Sequence, residues 1–277
     1  MGLFSFAKQP SWYKEYKRLG IPAKMKYPKG SMYDLIKESA DLYPSNIAYT
    51  YFNNLVTYRK LMENIDICAK SLLEYGITKG DIVSIIMPNT PEAITLVYAL
   101  NKVGAIANMI HPLSSSNEIM DMVLESKSKI VLIVDLLWGK IENKLAKNYD
   151  GDIVIASVSN SMDKVTTLGY KLSQGRKVPK ITYDERIIPW KEFFSIGKRS
   201  DKEVDYKCTD KDAAVILHSG GTTGTPKGIL LSNLNANSVA MEETTVCGVI
   251  TTRTTILAIM PIFHHKGCHS TRQFANP

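Results

Sequence analysis

The ten residues Ser219 to Gly228, S-G-G-T-T-G-T-P-K-G, lie between two apolar runs and carry the clearest chemistry in the chain. Gly220, Gly221 and Gly224 allow backbone angles closed to other residues, so successive amide N–H groups can converge on one anion. Ser219, Thr222, Thr223 and Thr225 add hydroxyl donors. Lys227 adds a full positive charge on a flexible stem, and Pro226 stiffens the approach to it. Such a loop suits phosphate oxygens. It is not the common nucleotide loop G-x-x-x-x-G-K-[ST]. Counted from Gly221, Pro226 stands where glycine is required and Gly228 where Ser or Thr would hold magnesium. A flexible hairpin or linker is the plainer reading, and the density of glycine, hydroxyl and lysine in ten positions argues against it.

A second cluster lies further on. His264, His265, Cys268 and His269 form H-H-x-x-C-H, residue types that could hold zinc. Adjacent histidines point apart on most backbones, and no second ligand pair follows at finger spacing, so no metal site is assigned. Cys68, Cys208, Cys247 and Cys268 are scattered without a C-x-x-C pair, which fits reduced thiols.

The elements that must position these residues alternate between α and β. Ser31 with Asp34 makes a capping-box start for a helix to about Tyr43. Ile47 to Tyr51 and Leu55 to Thr57 read as a hairpin around Asn53-Asn54. Thr57 caps a helix reaching Tyr75, and Gly76 and Gly80 punctuate the turn beyond it. Ile82 to Met87 has the continuous apolar character of a buried strand, and Thr90-Pro91 opens the next helix. Ala105 to Ile110 and Ile130 to Val134 repeat the strand pattern, with a helix from Ser116 between them, and Gly151 to Ala156 adds a further strand. Ala213 to His218 feeds directly into the glycine-rich loop. The fold class is α/β, with layered parallel-sheet and helix subdomains. The expected organisation is a basic leader over 1–30 and a lobe over about 31–160. A Lys-rich surface excursion follows over about 160–210, and a second lobe opens with the loop over 211–277.

With 277 residues, 44% of them hydrophobic, the chain has material for a sizeable core. Its net charge of +7 invites a nucleic-acid reading. Residues 1–30 hold seven basic residues against Glu15 alone, which leaves the rest of the chain nearly neutral and excludes a basic duplex-binding face there. Leu3, Phe4, Phe6, Trp12 and Tyr13 among lysines suit either a solvated tail or a weak contact with an anionic membrane; Pro10 interrupts an amphipathic helix and favours the tail. No run has membrane-spanning length and no secretory signal is evident, so the chain reads as cytoplasmic or peripheral to a membrane.

At Ser219 to Gly228 the sequence closely resembles the adenylate-forming superfamily of acyl-CoA synthetases, luciferases and peptide-synthetase adenylation domains, whose loop is written [ST]-[SG]-G-[ST]-T-G-x-P-K-G. The likeness continues in I-L-L-S-N-L-N-A-N, where Ser232 and Asn235 match and Asn233 stands where His is frequent. It continues in P-I-F-H-H-K-G, Pro261 to Gly267, against the family's P-x-F-H-x-x-G. Upstream, G-I-T-K-G-D-I-V-S-I-I-M-P-N-T-P-E-A-I and Y-A-L-N-K-V-G-A-I-A-N-M-I-H-P-L-S-S resemble the family's first subdomain, so the likeness runs from about Ser31 to Gly267.

This resemblance implies an AMP-forming acid–thiol ligase that activates a carboxylic acid, of fatty type, with ATP and Mg2+ and then transfers the acyl group to CoA. Ser219, Gly220, Gly221, Thr222, Thr223, Gly224, Thr225 and Lys227 would hold the nucleotide phosphates, and His264 would lie by the acyl carboxylate. The family's later Tyr-Gly-x-Thr-Glu, Thr-Gly-Asp and catalytic-lysine segments have no counterpart here, and C-H-S-T-R-Q-F-A-N-P is polar where an apolar helix is expected. The chain therefore reads as a truncated form, expected to be inactive or severely impaired alone. A non-catalytic nucleotide- or acyl-binding fragment is the alternative, and a phosphate-loop NTPase is disfavoured by the broken lysine motif.

Overall fold

The computed structural model describes residues 10–205, 207–219, 226–248, 250–251 and 253–263. A short helix, α1 (Trp12–Arg18), precedes α2 (Met32–Leu42). Ser31 and Asp34 form a full capping box on α2, as the sequence predicts. The hairpin β1 (Ile47–Tyr51) and β2 (Asn54–Thr57) turns through Phe52 and Asn53, both at positive φ, one residue earlier than expected. Then come α3 (Tyr58–Glu74), β3 (Ile82–Ile86), α4 (Pro91–Val103), β4 (Ile106–Met109), α5 (Ser116–Glu125) and β5 (Ile130–Val134). The chain continues with α6 (Asp135–Asn148), β6 (Asp152–Ala156), α7 (Lys164–Leu172), β7 (Ile187–Pro189), α8 (Trp190–Arg199), β8 (Ala213–His218), β9 (Gly228–Ser232) and α9 (Asn233–Cys247).

Seven strands form one sheet in the order β7-β6-β5-β3-β4-β8-β9, parallel throughout except for the last pair. Period-two alternation divides the strand residues between two cores. Val83, Ile85, Ile130, Leu132, Val134 and Val154 face α2, α3, α4 and α8. Ile86, Val131, Ile133, Ile153 and Ile155 face α5 and α6. Burial on both faces is why these strands read as unbroken apolar runs. Helix α6 gives no side-chain cap at its start and carries Gly139 inside, so the sequence signals for a helix are weak there.

The expected surface excursion over 160–210 needs correction. Helix α7 and the following 3-10 turn at Gln174–Lys177 bury no residue, but Ile187–Arg199 belongs to the core. Ile187 and Ile188 extend the sheet as β7, and Trp190 and Phe193 seat α8 on α3. Of the lysines in this span only Lys191 and Lys198 lie on α8, both exposed, while Lys177 and Lys180 precede β7. Apolar spacing decides the helix's position, and composition misleads.

Helices α3 and α8 meet at Gly197, where a Cβ would collide with the Ile67 carbonyl oxygen and the Ser71 hydroxyl. Ser71 Oγ donates to Phe193 O at 2.7 Å and accepts from Gly197 N at 3.1 Å, which ties the two backbones together. Gly197→Ala is therefore expected to destabilise the fold by about 3 kcal/mol, at the upper end for overpacking. Denaturant melts check this, and a shift below about 0.5 kcal/mol, the range of ordinary surface changes, would contradict the close crossing.

Candidate active site

The glycine-rich loop leaves the sheet at a defined place. Strands β8 and β9 pair antiparallel up to His218 opposite Gly228. Beyond that pair Ser219 N donates to Lys227 O at 3.0 Å, and Lys227 N donates to Ser219 Oγ at 3.2 Å. Ser219 and Lys227 thus close the base of the loop, and Lys227 is exposed. Gly220, Gly221, Thr222, Thr223, Gly224 and Thr225 lie outside the described residues, as does His264. Because β8 is parallel to β4, the loop base sits at the carboxyl edge of the parallel strands, where open α/β sheets take ligands.

Two further segments reach this edge. Asn89, just past β3, donates to Ala258 O at 2.9 Å and Met260 O at 2.8 Å, and accepts from Ile262 N at 2.7 Å. His111, just past β4, packs against Phe263 with ring centres 4.4 Å apart and planes inclined at 60°. The P-I-F stretch that leads to His264 is thereby fastened over the ends of β3 and β4, beside the end of β8 that carries the loop. Two motifs separated in sequence are brought to one edge of the sheet.

Under the loop base lies a polar network that sequence reading missed. Asn108 on β4 donates through Nδ2 to Ser84 Oγ at 2.9 Å, Ser126 Oγ at 3.0 Å and Met122 O at 3.4 Å. A carbonyl oxygen only accepts, so the amide orientation is fixed and Oδ1 faces His218 Nε2 at 2.7 Å. His218 must then carry its proton on Nε2, an assignment that rests on the network. Nδ1 is left as a buried acceptor without a partner among the described residues. Burial pulls the imidazole below its ordinary pKa, against the opposing pull of the Glu125 carboxylate. The signal available in the sequence was a histidine ending an apolar strand and an asparagine inside another.

The protein-family model for AMP-binding enzymes matches residues 36–271. The chain belongs to the AMP-binding enzyme family. A long-chain-fatty-acid–CoA ligase of Bacillus subtilis is 25% identical over 275 residues, covering 96% of this chain and 48% of the relative. An acetyl-coenzyme A synthetase of Escherichia coli is 31% identical over 178 residues, covering 63% of this chain and 26% of the relative. The chain thus spans about half the length of the first of these family members and about a quarter of the second. A solved long-chain-fatty-acid-CoA ligase from Archaeoglobus fulgidus has the same fold, with a TM-score of 0.70 at 20% identity, over 90% of this chain and 46% of that one.

The orphan Nδ1 gives this AMP-binding enzyme a pH signature. An imidazole whose folded pKa lies below its unfolded value binds a proton more weakly when folded. Its contribution to stability is complete above the unfolded pKa and is lost as pH falls below about 6.5. Wild-type protein is expected to lose more stability between pH 7 and pH 5 than His218→Gln, whose amide can still donate to Asn108. Parallel denaturant melts across that range check the difference, and superimposable pH profiles would refute it.

Proposed function

We propose that the chain contributes the triphosphate-holding part of an AMP-forming acid–thiol ligase that acts on a carboxylic acid of fatty type. The supporting observation is the convergence at one sheet edge of the Ser219–Lys227 loop base and the P-I-F stretch before His264. A carboxylate is a poor acyl donor because oxide is not a leaving group. Attack of its oxygen on the α-phosphorus of ATP expels pyrophosphate and leaves an acyl-adenylate. The sulfur of CoA then attacks the acyl carbon and AMP departs. The work assigned to this chain's own residues is electrostatic and positional. Ser219, Gly220, Gly221, Thr222, Thr223, Gly224 and Thr225 offer backbone and hydroxyl donors to the β and γ phosphates. Lys227 supplies the counter-charge. His264 orients the acid at the mouth of the acyl pocket. Mg2+, when bound with the nucleotide, neutralises part of the phosphate charge. Strands β8 and β9, which hold the loop base, extend the same sheet as the strands of 31–160, so the second lobe expected over 211–277 is not separate among the described residues.

The name of the Bacillus subtilis relative supports the fatty acid, and AMP-binding enzymes named as CoA ligases or synthetases support ATP and CoA as co-substrates. Among the described residues no helix is long and apolar enough to cross a membrane. Helix α1 buries none of its residues, so Trp12 and the neighbouring lysines are free to meet an anionic lipid surface. Co-sedimentation with anionic vesicles, falling with salt and absent when residues 1–30 are removed, is the expected result for that part of the proposal.

Removing the charge-assisted contact in Lys227→Ala should weaken ATP binding by about 1.5 to 3 kcal/mol. Calorimetry on folded protein reads this directly, and equal affinity would end the assignment of Lys227. The 277 residues purified by themselves should convert fatty acid, ATP and CoA to the thioester many orders of magnitude below ordinary enzyme rates, because the nucleotide is held at one end only. Thioester synthesis at ordinary rates by that polypeptide would overturn it.

A further inference from the structure

Helix α7 turns its apolar side to solvent. At helical spacing Val165, Leu168 and Leu172 fall on one face, and they are 82%, 61% and 60% exposed. Thr166, Thr167 and Tyr170, on the other side of the helix, are half-buried. A surface helix ordinarily has the reverse arrangement, with its apolar stripe in the core. Other bonds hold α7 in place. Asp163 Oδ1 accepts from Val165 N at 2.8 Å and from Thr166 N at 3.0 Å, which caps the helix start. Asn54 Nδ2 of the β1–β2 hairpin donates to Ser161 O at 2.9 Å, and Tyr51 Oη donates to Val158 O at 3.2 Å. These bonds fix the segment leading into α7 and bring it to the hairpin that exposes Phe52 and Leu55. An apolar stripe held at the surface in this way calls for something to cover it.

Charge selects the cover. Lys164 and Lys171 stand four residues before Leu168 and three after it, so they border the stripe along one side. Arg176, Lys177 and Lys180 follow directly. All five are exposed, and none pairs with a carboxylate among the described residues. Asp163 is the sole acid from 160 to 183, and its carboxylate is engaged at the helix start. A second copy of this chain would set these cations against their like. A neutral groove on another protein would cover the stripe and leave the cations unmet. An anionic bilayer answers both features at once: its acyl chains take the Val and Leu side chains, and its headgroup phosphates meet the lysines beside them.

We infer that α7 docks on an anionic membrane, laying Val165, Leu168 and Leu172 into the boundary between headgroups and acyl chains with Lys164 and Lys171 at the phosphates. This deepens the membrane part of the proposed function, which assigned the contact to residues 1–30, and it is independent of the ligase chemistry. Three apolar side chains make a weak contact by themselves. Joined to the leader on one polypeptide, the two contacts reinforce each other, so α7 is tested in the full chain. Co-sedimentation with phosphatidylcholine vesicles, with and without phosphatidylglycerol, reads it. Wild-type protein should partition onto the anionic vesicles at least about tenfold more strongly than onto the neutral ones. Leu168→Gln/Leu172→Gln, which leaves the charge unchanged, and Lys164→Gln/Lys171→Gln should each weaken the anionic partitioning at least about fivefold. Melting curves matching wild type confirm that these exposed changes leave the fold intact. No wild-type binding, binding indifferent to phosphatidylglycerol, or wild-type partitioning by either variant would overturn the inference. So would a wild-type dimer that Leu168→Gln/Leu172→Gln dissociates, since a second copy would then own the face. Binding lost on removing residues 1–30 but unchanged in both α7 variants would leave the leader reading standing and remove this one. Binding kept without the leader but weakened in both variants would do the opposite.

Discussion

The side-chain amide of Asn233 holds together the parts of this structure that position the loop. It is fully buried, and its Oδ1 accepts from Met32 N at 2.9 Å and from Asn101 Nδ2 at 2.8 Å. Its Nδ2 donates to Thr209 O at 2.9 Å and Asp212 O at 3.3 Å. Asn101 in turn accepts from Tyr33 N at 2.8 Å. The first amides of α2, which no helical carbonyl can satisfy, are thus paired by side chains from α9 and α4. The same amide pins the turn that launches β8. Four segments distant in sequence meet at one small polar group, and a buried amide tolerates none of them moving away unpaired. Where β8 starts determines where it ends, and therefore where the loop leaves the sheet.

From that anchor the two faces of the sheet take different roles. The face against α2, α3, α4 and α8 is apolar along β3, β4 and β5, which suits a rigid platform. The opposite face is apolar under α5 and α6 but turns polar toward β4 and β8, where Ser84, Asn108, Ser126, Ser128 and His218 share hydrogen bonds. A hydrophobic packing there would accept small slips in register. A connected polar network accepts few, because each slip leaves a buried group unpaired. Registering β8 against β4 by such bonds fixes the base of the loop more tightly than packing alone.

Much of this was legible from residue order. Strands β5 and β8 fall on the expected residues, and the capped starts of α2, α3 and α4 are where Ser31, Thr57 and Thr90 place them. These features are local, set within a few residues by caps, glycines and apolar runs. The pairings Asn108 with His218, Asn101 with Asn233 and Asn89 with Met260 span more than a hundred residues each, and no local pattern announces them. Helix α8 is the instructive miss. Its W-K-E-F-F-S-I-G carries apolar residues at helical spacing, yet the lysine-rich surroundings drew attention to charge. The candidate site divides in the same way, since the loop motif is local while the asparagine and histidine that set its position are not.

The geometry at the loop base also bears on why a lysine stands at its far end. A six-residue stretch between Ser219 and Pro226 that had to find its own closure would lose much of any binding energy to ordering. Here the β8–β9 ladder and the two bonds between Ser219 and Lys227 fix both ends before any ligand arrives. The backbone of Lys227 is held while its side chain stays exposed, so the charge can follow an anion without dragging the strand. Arginine would bring a rigid planar fork that demands one geometry. Under the proposed function, phosphate groups that shift between a triphosphate and a departing pyrophosphate would be better served by a point charge on a flexible stem rooted in a rigid ladder.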